Sequence, residues 1–299
     1  MIMDSDVILY HGSVDNVTTP DLKISRDGKD FGKGFYLTTS KEEAKKFAAF
    51  SIHKAIHYGI ISGDQPTGYI SRYKLHASDS LTTYEFEGTD LDWLECIAGY
   101  RRKQQDEIDM EKWDSFDMIA GKCVHETASI VINGYLDHSS VTCYGDDVYG
   151  RTSPNKSDPK YPLYVKYLKP KKIADQVCIK TEPALGMLEY LGSEPFDLRT
   201  AKINIALHHT IDTTKREMLD LARMVIRDRA RKNKIPEMIV EPLFRGSKTY
   251  AALQDARTRL CVNGPDYISN EYDLELAGRM QPISKHLPIP GKLNKKTVD

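Results

Sequence analysis

The pattern of hydrophobic positions predicts two strands near the N-terminus of the chain. Residues 7–10 (VILY) form an apolar run long enough for a buried strand, and this run ends at the sequence HGS, residues 11–13. Residues 34–38 (GFYLT) form a second run, which is entered through a glycine-containing segment. We expect the two strands to be neighbours in one sheet, an arrangement that places His11 beside Tyr36.

A helix is predicted directly after the second strand. Small and apolar side chains recur at helical spacing through residues 41–60, which indicates a helix with one buried face. Ser40 fits the N-cap position of this helix, and Glu43 three residues later completes a capping box. The ring of Phe47 is carried by the same helix.

The middle of the chain contains both strand-like and helix-like patterns. Residues 90–100 show helical spacing and are followed by a basic triplet, residues 101–103. The triplet suits the negative C-terminal end of a helix, and contact with a phosphate is the alternative. Residues 182–191 indicate another helix, with a proline in its first turn. Strand-like runs lie at residues 69–75, 81–86, 116–122, 129–136 and 173–181.

A long polar segment interrupts this pattern. Residues 138–162 are rich in Ser, Asp, Gly, Asn and Pro, which predicts a loop. Long loops inside domains are more often functional or disordered than structural, so we place recognition of a second molecule near this segment.

A change in composition predicts a domain boundary. Gly, Ser, Pro and acidic residues gather at residues 192–199. Beyond them, residues 216–229 have amphipathic helical spacing, and later apolar residues fit short helices separated by Pro236, Pro242 and Gly246. This module either docks a partner or packs against the first domain. The predicted division is a first domain at residues 1–198, a helical accessory module at 199–285 and a flexible tail at 286–299.

Charge and cysteine usage narrow the class of protein. The 299 residues carry 42 Lys and Arg against 43 Asp and Glu, so no overall field favours nucleic acid or an anionic membrane surface. Five widely spaced cysteines without a CxxC pair argue against a disulfide framework and a zinc site, and no metal is predicted. The N-terminus does not fit a signal peptide, which favours the cytosol. Delivery by a specialised secretion system remains compatible with this sequence.

The HGS sequence, the GKGFY sequence at residues 32–36 and Phe47 on the following helix resemble, in this order, the ADP-ribosyltransferase superfamily. The branch they resemble is that of diphtheria toxin and poly(ADP-ribose) polymerase. Residues 8–191 also look like a bacterial family of uncharacterised ADP-ribosyltransferase-like proteins, through pieces such as YHGS, DFGKGFYLT and FDMIAGKC. The resemblance implies an α+β fold: a split β-sandwich with flanking helices, followed here by a small C-terminal all-α module.

The resemblance also implies the chemistry. NAD would be the donor co-substrate, and the bond between nicotinamide and ribose would break through an oxocarbenium-like state. His11 would bond a ribose hydroxyl, Tyr36 would stack on the nicotinamide ring, and Gly12 would let the backbone approach the carboxamide. The implied cofactor-binding set is His11, Gly12, Ser13, Gly34, Phe35, Tyr36 and Phe47.

The implied catalytic trio is His11, Tyr36 and Gln176. Many relatives have a glutamate at the third position, and an amide supplies neither negative charge nor a base. Asp175 or Glu182 could substitute for that charge.

The resemblance therefore implies a mono-ADP-ribosyltransferase of the toxin or effector type, a glycosyltransferase with a macromolecular acceptor that we expect to be a protein. An NAD glycohydrolase and an NAD-binding pseudoenzyme that acts as an interaction module are the alternatives.

Overall fold

The structure is a computed structural model of the chain. It describes residues 6–89, 91–101, 109–124, 142–144, 147–149, 174–201 and 211–278. The described residues form a mixed seven-stranded sheet with packed helices, which confirms the predicted α+β class. In these ranges, every helix is too short or too polar to cross a bilayer.

The elements have the following bounds. The strands are β1 (Val7–Ser13), β2 (Phe35–Thr38), β3 (Thr67–Leu75), β4 (Thr83–Glu85), β5 (Met118–Lys122), β6 (Thr142–Tyr144), β7 (Asp147–Tyr149), β8 (Asp175–Ile179) and β9 (Leu188–Asp197). The helices are α1 (Lys41–Tyr58), α2 (Leu91–Arg101), α3 (Met110–Asp114), α4 (Glu182–Leu185), α5 (Ile211–Asn233), α6 (Glu237–Arg245), α7 (Lys248–Gln254) and α8 (Pro265–Leu276). Short 3-10 helices span Leu22–Ile24, Ala256–Thr258 and Leu260–Val262.

The helix predicted over residues 182–191 is wrong beyond its first turn. Helix α4 ends at Leu185, and β9 begins three residues later. Strand β9 pairs antiparallel with β3 over its whole length, so long-range sheet pairing overrides the local helical spacing. The register shifts beside Gly192, whose φ of 113° suits a glycine at a bulge. Residues 192–197, predicted as a boundary, are therefore part of the sheet.

A second correction concerns Pro242. The sequence predicts that it separates two short helices, but it lies inside α6. Pro236 and Gly246 do bound that helix, as predicted. The helix continues past the proline because Val240 and Phe244, one turn apart, are both buried in the core of the C-terminal helices.

Some predictions fall outside the described residues. These are the strand-like run at residues 129–136, most of the loop predicted at 138–162 and the tail at 286–299. The described part of the loop is a small antiparallel pair, β6 with β7.

The seven strands follow the order β4-β5-β8-β2-β1-β3-β9. Strands β1 and β2 are neighbours, as predicted. They run antiparallel, and one residue pair, Tyr10 with Thr38, joins them. In contrast, β1 pairs with β3 from Val7 to Ser13. The sheet therefore divides into two halves beyond Tyr10. A shared core of apolar side chains from both halves, including Leu9, Leu37 and Val177, joins them.

The helices cover this sheet at two places. Helix α1 packs on β1 and β3 through a small-residue face that includes Ala44 and Ala48. Helices α5–α8 enclose their own apolar core, and Tyr58 of α1 belongs to it. Helix α7 and the 3-10 helix Ala256–Thr258 contact α1 directly. The C-terminal helices are thus packed against the first part of the chain.

Candidate functional site

A cavity of ≈ 240 Å³ opens where β1 and β2 separate. Its walls are formed by strands β1, β2 and β8, by helix α1, by the loop before β2 (residues 25–34) and by the C-terminal helices. His11, Gly12, Ser13, Tyr36, Phe47 and Gln176, all predicted from the sequence as site residues, line it together.

Two predicted cofactor-binding residues do not line the cavity. Phe35 is buried in the core between the two halves of the sheet, where its ring lies 4.7 Å from the His11 ring. Gly34 is packed against β8, and a Cβ atom at this position would lie 2.4 Å from the sulfur of Cys178. Phe35 supports the site from behind because neighbouring residues on a strand point to opposite faces, and Gly34 lets the chain approach β8 closely.

His11 bridges the opening between the two strands. Its Nδ1 atom lies 2.8 Å from the carbonyl oxygen of Tyr36. A carbonyl only accepts hydrogen bonds, so Nδ1 carries the proton and Nε2 keeps its lone pair when the ring is neutral. Burial lowers the pKa of His11 from 6.5 to about 4, against the hydrogen bond to Tyr36, which raises it. The ring is therefore neutral at physiological pH and offers an acceptor.

The phenol of Tyr36 is held by the loop before β2. Its hydroxyl donates to the carbonyl oxygen of Gly32 (2.7 Å) and accepts from the backbone N–H of Phe31 (2.9 Å). Burial raises its pKa well above 10.0, so the hydroxyl stays protonated. What Tyr36 offers to a ligand is its ring face. The Nζ atom of Lys29 lies over this ring, 4.8 Å from its centroid.

Gln176 is oriented by a carboxylate. Its Nε2 atom donates to Oδ2 of Asp30 at 2.9 Å, and the side chain is buried. Because the amide nitrogen is the donor, Oε1 is left as an acceptor for a ligand hydroxyl. Arg101 donates to the other oxygen of the same carboxylate through Nε (3.0 Å) and Nη2 (2.7 Å). The predicted helix end at Arg101 is correct, but its guanidinium is buried and anchors the site.

The carboxylate beside Gln176 differs from the two predicted. Asp175 forms an ion pair with Lys122 at 2.8 Å, and Glu182 is exposed in the first turn of α4. Neither residue lines the cavity, whereas Asp30 does. The sequence carries no signal for this contact because 146 residues separate Asp30 from Gln176.

The C-terminal helices form one wall of the cavity, which the sequence did not predict. Arg259 and Tyr267 are among the residues they contribute. The loop before β2 is packed tightly on α8, since a Cβ atom at Gly28 would lie 2.6 Å from the backbone nitrogen of Tyr267. Arg26 in the same loop forms an ion pair with the buried Glu271. Both contacts fix this wall against the loop that carries Lys29 and Asp30.

The described residues contain no group of three or more His, Cys, Asp or Glu side chains that could hold a metal ion. The polar groups that face the cavity can form hydrogen bonds and charge pairs with an organic ligand.

Comparison with known proteins identifies the family of the chain. No curated protein and no solved structure matches the chain. A family model described as "Protein of unknown function (DUF3990)" matches residues 7–190. The match includes His11, Tyr36 and Gln176, ends within β9 and leaves the C-terminal helices outside. The chain therefore belongs to the DUF3990 family of proteins of unknown function.

Proposed function

We propose that the protein binds NAD in this cavity and transfers a single ADP-ribose unit to a macromolecular acceptor, a protein. The observation that carries the proposal is the 2.8 Å contact between His11 Nδ1 and the carbonyl of Tyr36, which joins the imidazole to the backbone of Tyr36 at a cavity that both residues line. Gln176 lines the same cavity with its amide oxygen left as an acceptor.

Each group has a role in this proposal. Nε2 of His11 accepts a hydrogen bond from a ribose hydroxyl, and Oε1 of Gln176 accepts another. The ring of Tyr36 stacks on nicotinamide, and Phe47, which is 38% exposed at the rim, covers the ligand from the other side. Holding both ends of the ligand in this way reduces the entropic cost of reaching the transition state.

In the reaction, the C–N bond between ribose and nicotinamide breaks, and nicotinamide leaves with the electron pair as a neutral molecule. A nucleophile of the acceptor then bonds to C1 of the ribose and loses its proton to solvent. Positive charge develops on the ribose before this bond forms, and a carboxylate near it would stabilise that charge. Asp30 contacts Gln176, but Arg101 balances its charge, so we propose slow transfer.

Two experiments on the purified full chain test this function. The first is mass spectrometry of a cell extract incubated with the protein and labelled NAD, which reports transfer and its target together. The second is release of nicotinamide by the wild type, by His11→Ala and by the control His76→Ala, which lies outside the cavity. We expect labelling and release from wild type and His76→Ala, and loss of both from His11→Ala. Intact NAD with every acceptor tried contradicts transfer.

A second candidate function is binding of NAD without turnover, in an interaction module. It is favoured by the pairing of Asp30 with Arg101 and by the amide at position 176, since both remove negative charge from the site. Saturable NAD binding that His11→Ala abolishes, with no nicotinamide release, would establish this function instead. Release of free ADP-ribose at the same rate with and without acceptors would establish an NAD glycohydrolase.

We propose the cytosol of the producing cell as the compartment, with delivery into a target cell in the case of an effector. Cys96, Cys123 and Cys178 support a reducing compartment because they are buried thiols outside any disulfide.

A further inference from the structure

Basic side chains gather at the part of the cavity next to Tyr36. Lys29 comes from the loop before β2, and Lys54 comes from α1. The Nζ atom of Lys54 donates to the hydroxyl of Tyr267, 2.9 Å away, which α8 places in the cavity wall. We call Lys29, Lys54 and Tyr267 the basic cluster.

The charges around the basic cluster do not balance. Glu271, which is fully buried, is shared between Lys54 at 3.4 Å and Arg26. Among the described residues, no carboxylate forms an ion pair with the ammonium of Lys29, which contacts the face of Tyr36 instead. A buried ammonium without a counter-charge is unfavourable, so this part of the cavity is suited to an anion.

The other carboxylates of the cavity do not supply the missing charge. Asp30 is paired with Arg101 at 2.7 Å, and Glu43 is paired with Lys46 at 2.9 Å. Each of them therefore already has a cation of its own.

The protonation equilibria agree with an excess of positive charge. Burial lowers the pKa of Lys29 and of Lys54, Tyr267 acts on both in the opposite direction, and the nearby Arg26 lowers both. Burial alone would raise the pKa of Tyr267, but Lys54, Arg26 and Lys29 together bring it down to about 7. A shift in this direction requires strong positive potential at the phenol oxygen.

We propose that the basic cluster is an anion subsite that binds the diphosphate of the dinucleotide, an inference that rests on the proposed function for the identity of the ligand. Lys29 and Lys54 supply positive charge, and the hydroxyl of Tyr267 supplies a hydrogen bond. Charge-assisted bonds from ammonium groups to phosphate oxygens are among the stronger hydrogen bonds in proteins.

The subsite also explains how nicotinamide reaches Tyr36. The ammonium of Lys29 and the cationic pyridinium of NAD cannot share one ring face, because like charges at that separation repel. The diphosphate of the same ligand offers Lys29 a better partner than the ring. Binding therefore moves Lys29 from Tyr36 to the phosphate and frees the ring for stacking.

In this arrangement the C-terminal helices take part in binding the ligand. Tyr267 belongs to the subsite, and Glu271 one turn later holds Lys54 in place. The donor site is then complete only when α8 is packed against α1 and the loop before β2.

The test uses calorimetry on the full chain with three probes: inorganic diphosphate, ADP-ribose and nicotinamide. The variant is Lys29→Gln, and the matched control is Lys33→Gln, which removes the same charge from an exposed position on the same loop. We expect Lys29→Gln to lower the affinity for diphosphate and for ADP-ribose by about tenfold to a hundredfold, which is the effect of losing one charged hydrogen bond. Lys33→Gln should bind both probes as tightly as the wild type does. The affinity for nicotinamide should not fall in Lys29→Gln.

Two further variants distinguish the effect of losing a charge from the effect of losing the folded structure. Lys29→Arg should retain most of the affinity for diphosphate, and Tyr267→Phe should lose part of it while the ring still packs. Thermal unfolding of each variant shows whether the fold is kept.

The outcomes separate this inference from the proposed function. A wild-type chain that does not bind inorganic diphosphate, or a Lys29→Gln chain that binds ADP-ribose as tightly as the wild type, overturns the subsite even if NAD is the donor. Diphosphate binding that depends on Lys29, in a chain that does not bind NAD, supports the subsite and overturns the proposed function.

Discussion

The side chain of His11 and the backbone carbonyl of Tyr36 are joined by one hydrogen bond of 2.8 Å, at the place where the strands that carry them stop pairing. This bond sets the tautomer and the position of the imidazole, and the loop before β2 holds the ring of Tyr36 through its hydroxyl. A single side chain therefore links the division of the sheet to the geometry of the candidate site, and the variants below test that link.

The first prediction concerns pH. The pKa of His11 is about 4 in the folded protein and near 6.5 when unfolded, so the unfolded chain binds more protons between these values. His11 should therefore lower the free energy of unfolding as pH falls from 6.5 towards 4, by up to about 3 kcal/mol, and have no effect above this window. Urea unfolding of wild type and His11→Gln at several pH values measures the difference. Parallel pH profiles for the two proteins would contradict the assigned burial.

The second prediction separates the hydroxyl of Tyr36 from its ring. Tyr36→Phe removes two hydrogen bonds to the loop and should cost about 1–3 kcal/mol of stability, but it keeps the face for stacking. Tyr36→Ala should lose affinity for NAD as well. Urea unfolding together with NAD titration distinguishes the two effects. Equal NAD affinities for the two variants would argue against stacking.

The third prediction concerns the missing negative charge. In Gln176→Glu, the introduced carboxylate would face Asp30, so mutual repulsion should raise its pKa and limit any gain in rate. The double variant Q176E/D30N exchanges the amide and the carboxylate, and it should release nicotinamide at least about tenfold faster than the wild type. Single-turnover assays with NAD measure this. If the double variant releases nicotinamide no faster than the wild type, the missing negative charge does not explain slow transfer.

The fourth prediction concerns the packing of α1 on β1. A Cβ atom at Gly12 would lie 1.8 Å from the carbonyl oxygen of Ala44, so Gly12→Ala must displace the helix. We expect a loss of about 1–3 kcal/mol or more, typical of overpacking. Gly63→Ala is the control, since nothing lies within 4 Å of the added methyl group. If the two variants are equally stable in thermal unfolding, α1 does not approach Gly12 as closely as the structure indicates.

The local features of the fold could be predicted from the sequence. The apolar run before His11, the strand that carries Tyr36 and the capped helix after Ser40 each depend on neighbouring residues, and each lies where the pattern predicts. The side chain of Ser40 accepts a hydrogen bond from the backbone N–H of Glu43, which is the N-cap half of the predicted capping box. The other half differs from the prediction, because the N–H of Ser40 donates to Thr38 Oγ1 and the carboxylate of Glu43 pairs with Lys46.

The remaining features depend on contacts between distant parts of the chain. Strand β9 exists because it pairs with β3, although its first residues have helical spacing. Asp30 meets Gln176 across the cavity, and Tyr267 reaches it from a helix that looks like an ordinary amphipathic segment. No local pattern marks such residues, because their role arises only when the sheet and the C-terminal helices come together.

The proposed function depends on binding of NAD in the cavity beside His11 and Tyr36. Calorimetric titration of NAD into the full chain tests it most directly, with His11→Ala as the variant and His76→Ala as the control. We expect saturable binding at one site in the wild type and in His76→Ala, and its loss in His11→Ala. No binding by the wild type, or equally tight binding by His11→Ala, would contradict it.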